Sequence, residues 1–290
     1  MSLTELRSFN AVARMGSFSK AAEALLRSQP TVTIQVSQLE KRYHAELFQR
    51  RRGQKVEITS VGRQLYEITQ RLFALEEDAL DLLVNSETLQ TGHLKIGASF
   101  PNLPTQFILP FREKYPGVEV SLTLGNSNSI ERAVRDCRVD IGFLGGSGDY
   151  PGCDKQLLTR PEIVLAAQKN HPGAQTGTIS VHDITNETIL LREQGSQTRE
   201  LFLQRLDSEG IEPGATIEIG SREGVCAAAG AGLGLAIIAL DEIQDGFGVQ
   251  VLRFKEFRIF GQAHVISLKE RGYTKLIAAF LEIINGVRSR

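Results

Sequence analysis

Residues 18–59 read FSKAAEALLRSQPTVTIQVSQLEKRYHAELFQRRRGQKVEIT, and this stretch decides how the chain is organised. Two short helical patterns meet at Arg27-Ser28, where Ser28 suits a helix N-cap and Pro30 suits the first helical turn. Apolar residues of the second helix share one face at spacings of four, three and four, namely Val32, Val36, Leu39 and Tyr43. The pattern predicts two helices joined by a tight turn.

The opposite face of the second helix is polar and carries no charge near its N-terminus. The residues of this face that we take as candidates for DNA contact are Ser28, Gln29, Pro30, Thr31, Thr33, Ile34 and Gln38. Such a helix fits the major groove of DNA, where base edges present donors, acceptors and thymine methyl groups. The alternative is an ordinary solvated helix face. We favour DNA binding because the following segment supplies positive charge.

That segment is a basic turn between two short apolar stretches, Glu46–Phe48 and Val56–Thr59. The turn carries Arg50, Arg51, Arg52 and Lys55 around Gly53. The pattern predicts a two-stranded wing whose cations contact phosphates or enter a minor groove. An arginine run alone is usually a solvated loop, but here it follows a helix-turn-helix pattern at a suitable distance.

These residues resemble the winged helix-turn-helix of the LysR-type transcriptional regulators. The motifs that carry the resemblance are Ala21-Ala22 before the turn, Ser28-Gln29-Pro30, Gln38-Leu39-Glu40, Leu47-Phe48-Gln49-Arg50 and the Thr59-x-x-Gly62 close. The resemblance extends through the C-terminal body and so covers nearly the whole chain. One departure is Ile34, where members often carry a basic or polar residue, and an isoleucine there allows an apolar contact with a thymine methyl.

Charge is distributed unevenly along the 290 residues. Residues 1–60 contain ten Lys or Arg and five Asp or Glu, a net charge of +5. Since the whole chain carries −1, the remaining 230 residues carry −6. A basic head on a mildly acidic body is typical of a DNA-binding module attached to a domain that does not bind DNA.

A heptad pattern begins at residue 60. Its apolar positions are spaced alternately by four and three, at Val61, Leu65, Ile68, Leu72, Leu75, Ala79 and Leu82. About 28 residues without glycine or proline would form a rod of about 42 Å. A helix packed on its own domain is one explanation of the pattern. We favour an intermolecular coiled coil, since paired heads match a pseudo-palindromic operator, and the resemblance implies the same linker helix and dimerisation.

Beyond Gln90-Thr91-Gly92, strand and helix patterns alternate. The order βαβαβ over residues 94–144 predicts a parallel sheet, and a second set of strands and helices follows over residues 162–268. The resemblance implies a two-lobed, periplasmic-binding-protein-like effector domain. We place its lobe I at about 91–157 and 267–290, its lobe II at about 158–266, and the crossover strands near 155–162 and 256–266.

Loops rich in Ser, Thr, Asn and Gly follow the strands of both lobes, where ligands bind in open α/β sheets. The candidate effector-binding residues on them are Ser99, Phe100, Asn102, Gly125, Asn126, Ser127, Gly145, Gly146, Ser196, Gln197, Thr198, Arg199, Ser221 and Arg222. Helix N-termini there favour a small anion. Helix capping by Ser127, Ser196 and Ser221, and a structural clamp at Arg199, are the alternatives. The resemblance implies that Ser99 and the Ser196–Arg199 turn line the cavity.

Other signals do not indicate catalysis. Gly230-Ala231-Gly232-Leu233-Gly234 resembles a dinucleotide loop but follows a helix and precedes a strand, the reverse of the usual order. The five histidines lack ligand spacing and no hydrolase, metalloprotease or P-loop motif occurs, so we expect no metal, no cofactor and no enzyme. Cys137, Cys153 and Cys226 are expected to be reduced thiols, although a thiol sensor is an alternative. Without a signal peptide or a spanning segment, we expect a cytoplasmic protein with no membrane partner.

The fold class expected from these patterns is multi-domain. An all-α winged helix-turn-helix domain (1–59) precedes a linker and dimerisation helix (60–90) and a two-lobed α/β effector-binding domain (91–290). We expect a transcriptional regulator that binds double-stranded DNA and senses a small anionic metabolite. We expect it to form a dimer through the linker helix and then a tetramer, with RNA polymerase as a further candidate partner. The rival hypothesis is a cytosolic small-molecule-binding protein or enzyme on the same two-lobed body, without operator recognition.

Overall fold

A computed structural model describes residues 1–49, 56–84 and 89–288. The chain divides into two units, and the division falls after Ser86, apart from the short segment Asp136–Arg138, which groups with the first unit. The first unit contains the helix-turn-helix and the long helix, and the second contains the two-lobed body.

The first unit consists of helices around a small core, with one short hairpin. Its elements are α1 (Leu3–Met15), α2 (Phe18–Ala24), α3 (Gln29–Tyr43), β1 (Phe48–Gln49), β2 (Glu57–Ile58) and α4 (Ser60–Val84). Ser2 and Glu5 form a capping box at the start of α1, and Ser28 caps α3 by accepting a hydrogen bond from the Thr31 N–H. The antiparallel pairing of Phe48 with Ile58 confirms the two strands of the wing.

The core of this unit forms where the apolar faces of α1, α2 and α3 meet. Its largest buried members include Leu6, Phe9, Val12, Val32, Val36, Leu39 and Phe48. The small side chains of Ala21 and Ala22 let α2 approach its neighbours closely, as their position before the turn predicts. Helical periodicity over residues 3–15 predicts that Leu3 faces inward, and the same periodicity places Tyr43 on the apolar face of α3. Both predictions were wrong, because Leu3 and Tyr43 are exposed at the ends of their helices.

The long helix α4 spans 25 residues, or about 38 Å. It packs against α1, where Arg7 forms an ion pair of 2.6 Å with Glu76 and Asn10 donates to the Thr69 hydroxyl. Two of the seven predicted heptad positions, Leu65 and Leu72, pack against the core of the first unit. The other five are exposed, namely Ala79 and a series with a spacing of seven residues, Val61, Ile68, Leu75 and Leu82.

Lobe I of the second unit is a five-stranded sheet covered by helices on both faces. Its elements are β3 (Gly92–Ala98), α5 (Asn102–Lys114), β4 (Val118–Leu124), α6 (Ser127–Arg135), β5 (Ile141–Gly145), β6 (Cys153–Thr159), β14 (Ala263–Leu268) and α9 (Lys275–Arg288). The strand order is β4-β3-β5-β14-β6, with β3 parallel to both β4 and β5. Helices α5 and α9 cover one face, and α6 lies over Gly97 and Gly142 on the other.

Lobe II is built on a second sheet with the order β10-β9-β11-β7-β12-β8, and β13 also pairs with β7. Its elements are β7 (Glu162–Gln168), β8 (Thr178–Ile179), β9 (Thr188–Leu191), α7 (Gln197–Ser208), β10 (Ala215–Glu218), α8 (Arg222–Gly230), β11 (Leu235–Ala239), β12 (Val249–Phe254) and β13 (Ile259–Phe260). Helix α7 covers one face through Phe202, and α8 covers the other through Val225. Short 3-10 helices lie at Pro172–Ala174, Val181–Asn186, Leu240–Glu242, Asp245–Phe247 and Lys269–Arg271.

The two sheets move the predicted lobe boundaries. All of β6 and β14 belong to the sheet of lobe I, because β14 pairs with β5 on one side and with β6 on the other. The chain therefore passes between lobes near residues 160–161 and 261–262. Both positions lie within the predicted crossover ranges of 155–162 and 256–266, and the lobe limits shift by a few residues from the approximate values of 158 and 266. Strand β6 was predicted only as part of the crossover near 155–162 and not as a member of the sheet of lobe I, since CDKQLLT carries polar residues where a buried strand would carry apolar ones.

The glycine-rich segment Gly230–Gly234 forms the exit of α8, as its position between a helix and a strand predicts. Gly232 has a positive φ of 83°, a backbone conformation that favours glycine. No helix in the described part of the chain combines the length and the apolar character that crossing a membrane requires.

Candidate nucleic-acid interface and effector cleft

Helix α3 presents the predicted DNA-reading residues on its open side. Ser28, Gln29, Pro30, Ile34 and Gln38 are exposed, while Thr31 and Thr33 are half-buried. The Ser19 hydroxyl donates to Gln29 Oε1 at 3.0 Å and so orients the amide of Gln29. The predicted residues Arg50, Arg51, Arg52 and Lys55 lie outside the described residues.

The wing is attached directly to the end of α3. One oxygen of the Glu40 carboxylate accepts hydrogen bonds from the Leu47 N–H at 2.9 Å and from the Phe48 N–H at 3.2 Å. Glu40 lies in the last turn of α3, and both amides lie at the start of β1. The recognition helix and the first strand of the wing are therefore held together by a single side chain.

The Thr59-x-x-Gly62 motif closes the wing at its other end. The Thr59 N–H donates to the Leu47 carbonyl, and the Gly62 N–H donates to the Thr59 hydroxyl at 3.0 Å. A Cβ atom on Gly62 would lie 2.3 Å from the Leu47 carbonyl oxygen. Glycine is therefore required here by the close approach of two backbone segments.

A cleft of about 690 Å³ lies between the lobes of the second unit. Eleven of the fourteen predicted effector residues line it, namely Ser99, Phe100, Asn102, Asn126, Ser127, Gly145, Gly146, Ser196, Gln197, Thr198 and Arg222. These residues were predicted from the sequence because each lies in a loop that follows the end of a predicted strand. The sheets of the two lobes bring these strand ends to face one another.

The other three predicted residues lie outside the lining of this cleft. Gly125 and Ser221 line a neighbouring outer groove of about 780 Å³, which shares Ser99, Asn126, Arg192 and Arg222 with the cleft. Ser221 caps α8 by accepting from the Gly224 N–H at 2.9 Å. The guanidinium of Arg199 donates to the Arg192 carbonyl and to Glu218, as the clamp alternative predicts.

Several residues of the lining were missed by sequence reasoning. They are Leu103, Thr159, Pro161, Ile163, Arg192, Leu201, Ala239, Asp241, Glu242, Gly261, Gln262 and Ala263. Those near the crossover strands could not be placed while the boundary between the lobes was known only approximately. A better signal existed for Arg192, which directly follows the buried strand β9.

The two arginines of the cleft are each paired with a glutamate. Arg192 forms two hydrogen bonds of 2.8 Å with Glu193, and Arg222 forms one of 2.6 Å with Glu242. Burial acts to raise the pKa of Glu193, but the hydrogen bonds from Arg192, a backbone hydrogen bond and the positive charge of Arg192 together outweigh burial and lower that pKa. Burial raises the pKa of Glu242 against the opposing effect of Arg222.

Hydrogen bonds cross the cleft from lobe to lobe. The guanidinium of Arg222 in lobe II donates to the Ser99 carbonyl of lobe I. From lobe I, the Asn102 amide donates to the Asp241 carbonyl at 3.2 Å, and the Asn126 amide donates to the Gln194 carbonyl at 3.2 Å. These bonds fix the lobes of the second unit in one relative position.

Buried serine hydroxyls line the inner wall of the cleft. Ser127 donates to Ser99 at 3.3 Å and accepts from the Gly145 N–H at 3.1 Å. Ser196, at the N-cap of α7, is also buried, but its side chain forms no capping hydrogen bond. Its hydroxyl is thus placed at the cleft without serving the helix that it begins.

The first residues of four helices meet at this cleft. Asn102 begins α5, Ser127 begins α6, Gln197 begins α7 and Arg222 begins α8, and all four line the cavity. A helix N-terminus carries about half a positive charge from its aligned peptide dipoles and presents N–H groups that lack helical partners. The arrangement can bind the oxygens of a small anion.

The described residues show no group of His, Cys, Asp and Glu side chains arranged to hold a metal ion. The three cysteines are buried and form no disulfide bond with one another. Burial raises the pKa of the Cys226 thiol to about 11, so this side chain stays protonated at neutral pH and is a poor nucleophile.

Comparison with known proteins agrees with this architecture. Residues 3–63 match the model of the bacterial regulatory helix-turn-helix protein of the lysR family, and residues 87–288 match the LysR substrate binding domain. The HTH-type transcriptional regulator CbbR of Sinorhizobium medicae is 32% identical, over 98% of this chain and 92% of its own length.

Solved structures share the fold. Full-length CbnR complexed with its target DNA superimposes with a TM-score of 0.71 at 23% identity, covering 100% of both chains. The regulatory domain of Synechocystis PCC6803 CcmR in complex with 2-PG gives a TM-score of 0.62 at 22% identity, covering 68% of this chain and 97% of the other.

A winged helix-turn-helix, a long helix and a two-lobed α/β body with a lined cleft define a ligand-responsive transcriptional regulator. The chain belongs to the LysR family of DNA-binding transcriptional regulators, which are not enzymes.

Proposed function

We propose that this regulator responds to a small anion that binds between the lobes of its second unit. The observation that carries the proposal is the meeting of four helix N-termini at the cleft. The formal charges of the lining side chains sum to zero, since the two positive charges of Arg192 and Arg222 balance the two negative charges of Asp241 and Glu242. The net attraction for an anion therefore comes from the helix ends and from the hydroxyl groups.

Thermal denaturation of the full chain tests the proposal. Inorganic phosphate, sulfate, small carboxylates and phosphonates would be compared with neutral amides of similar size. A ligand that binds only the folded state raises the melting temperature with its concentration. We expect a rise with at least one class of anion and none with the amides, and equal responses to both would contradict an anion site.

Ser196→Ala is expected to weaken binding of the best anion in this panel by about ten-fold or more, since a hydrogen bond to a charged group contributes about 1.5–3 kcal/mol. Stability without ligand should change little, because the Ser196 hydroxyl forms no capping bond. Titration calorimetry measures the first effect and chemical denaturation the second.

Ser221→Ala is the matched control, since Ser221 also begins a helix of lobe II. Its hydroxyl caps α8 and lies outside the cleft lining. Loss of this cap should lower the free energy of unfolding by about 1 kcal/mol and leave anion affinity unchanged. If both variants lose stability but neither loses affinity, Ser196 is only a structural residue.

We further propose that two copies pair through α4 and place two copies of α3 on a pseudo-palindromic operator. The exposed apolar positions Val61, Ile68, Leu75 and Leu82 support this proposal, because their seven-residue spacing suits a helical partner. Paired recognition helices match the two-fold symmetry of such operators. As a regulator of transcription the protein would act in the cytoplasm, where the DNA is.

Gln29→Ala is expected to lower affinity for an operator selected from random DNA by about ten-fold, and to change affinity for random DNA little, because a glutamine can read an adenine edge. Arg51→Ala provides the contrast. The sequence predicts that removal of the Arg51 charge weakens binding to the operator and to random DNA by the same factor. It should also reduce the dependence of affinity on salt concentration by about one ion. Mobility shifts at several salt concentrations measure both. Equal losses on both duplexes for Gln29→Ala would show that Gln29 does not read bases.

A further inference from the structure

Ile34 is an apolar side chain in the middle of the open face of α3. Its exposed fraction is 55%, whereas Val32 and Val36 of the same helix are fully buried. Its neighbours one helical turn away on that face are Pro30 and Gln38, which are both exposed. Ile34 is therefore a single large apolar group on a surface otherwise rich in hydrogen-bonding side chains.

The fold gives no reason for an isoleucine at this position. The core of the first unit contains Val32, Val36 and Leu39 from α3, and Ile34 is not among the residues packed against it. β-branched residues also form helices less readily than alanine, glutamine or lysine, any of which could occupy an exposed helical site. The side chain therefore stabilises the isolated unit little.

An apolar group on a DNA-reading helix has one complementary feature in the major groove. Among the base edges, only thymine presents a methyl group there, on C5. We propose that Ile34 contacts the C5 methyl group of a thymine and so selects T·A over C·G at one position in each half-site. This inference rests on the proposal that α3 reads base edges, and it assigns one residue of α3 to one kind of base pair.

The test uses the full chain and an operator selected from a pool of random duplexes. Each thymine of one half-site is replaced in turn by deoxyuridine, which pairs identically but lacks the methyl group. We expect one replacement to lower wild-type affinity by about four-fold, the effect of exposing one methyl group to water. Ile34→Ala should also bind the unmodified operator more weakly than the wild type. Replacement of that thymine by deoxyuridine should not lower the affinity of Ile34→Ala any further.

Leu3→Ala is the matched control, because Leu3 is a comparably exposed apolar residue of the same unit on α1. This variant should retain the full wild-type response to deoxyuridine. The inference is overturned if no replacement affects the wild type, or if Ile34→Ala responds to the same replacement as strongly as the wild type. A wild-type chain that selects no sequence at all would overturn base reading by α3 as well as this inference. The experiment therefore distinguishes failure of the Ile34 assignment from failure of base reading.

Discussion

Replacing Ile68 and Leu75 together by glutamate should leave a monomer that binds its operator at least about 100-fold more weakly. Both side chains are exposed on α4, one heptad apart, with Ile68 63% exposed. Two charges there would be buried without partners if two helices paired along this seam. Loss of the paired state removes the gain from binding two half-sites at once, which is commonly 10²–10⁴-fold. Light scattering and mobility shifts measure the two effects.

Gln70→Glu is the control for added charge on the same helix. Gln70 follows Ile68 by two residues, about 200° further round α4, and so points away from the exposed seam. This variant should keep the oligomeric state and the affinity of the wild type. Circular dichroism should show intact folding in every variant, because Ile68 and Leu75 are exposed in the single chain and Gln70 is only half-buried. A double variant that remains a dimer would refute pairing through this seam.

Asp140→Ala should lower the free energy of unfolding of the second unit by about 3–5 kcal/mol, because it removes the carboxylate from a buried ion pair and leaves the charge of the Arg271 guanidinium buried. Asp140 and Arg271 are both buried and form an ion pair of 2.8 Å in lobe I. The other carboxylate oxygen of Asp140 accepts from the Lys95 N–H at 2.7 Å. The corresponding fall in melting temperature is roughly 10 °C for a unit of this size.

Two further variants distinguish loss of the buried ion pair from a general loss of stability in lobe I. Glu131→Ala removes the partly exposed ion pair with Arg135 in the same lobe and should cost at most about 0.5 kcal/mol. Asp140→Leu combined with Arg271→Met removes both charges and should recover much of the lost stability. If Asp140→Ala costs no more than Glu131→Ala, the buried pair does not stabilise the lobe.

Much of the fold follows from short-range patterns. The order βαβαβ predicted over residues 94–144 is observed as β3, α5, β4, α6 and β5, because alternating apolar residues and helical periodicity are strong local signals. Strand β6 was not assigned to the sheet of lobe I because it is an edge strand with polar residues. The inward positions predicted for Leu3 and Tyr43 failed because helical periodicity continues to the ends of a helix, where no neighbour remains to cover the side chain.

The cleft shows a different limit of sequence reasoning. Loops after buried strands could be collected because parallel strands end at one edge of a sheet. The pairing of Arg222 with Glu242 could not be predicted, since the two residues are twenty positions apart in the sequence. Arg192 pairs with its neighbour in the sequence, Glu193. The heptad pattern could not decide between packing within the unit and pairing with a second helix. The reason is that Leu65 and Leu72 on one face of α4 pack against the core of their own unit, while the apolar residues of the adjacent face are exposed.

The Glu40 carboxylate binds two successive amides at the start of the wing. On the proposal that α3 reads base edges and the wing contacts a neighbouring groove, this attachment leaves the protein little freedom to adjust the distance between the two contacts. DNA must then supply the adjustment by bending or by narrowing a groove, and stiff sequences pay more elastic energy for it. Base pairs that no side chain touches would in this way influence which promoters the regulator occupies.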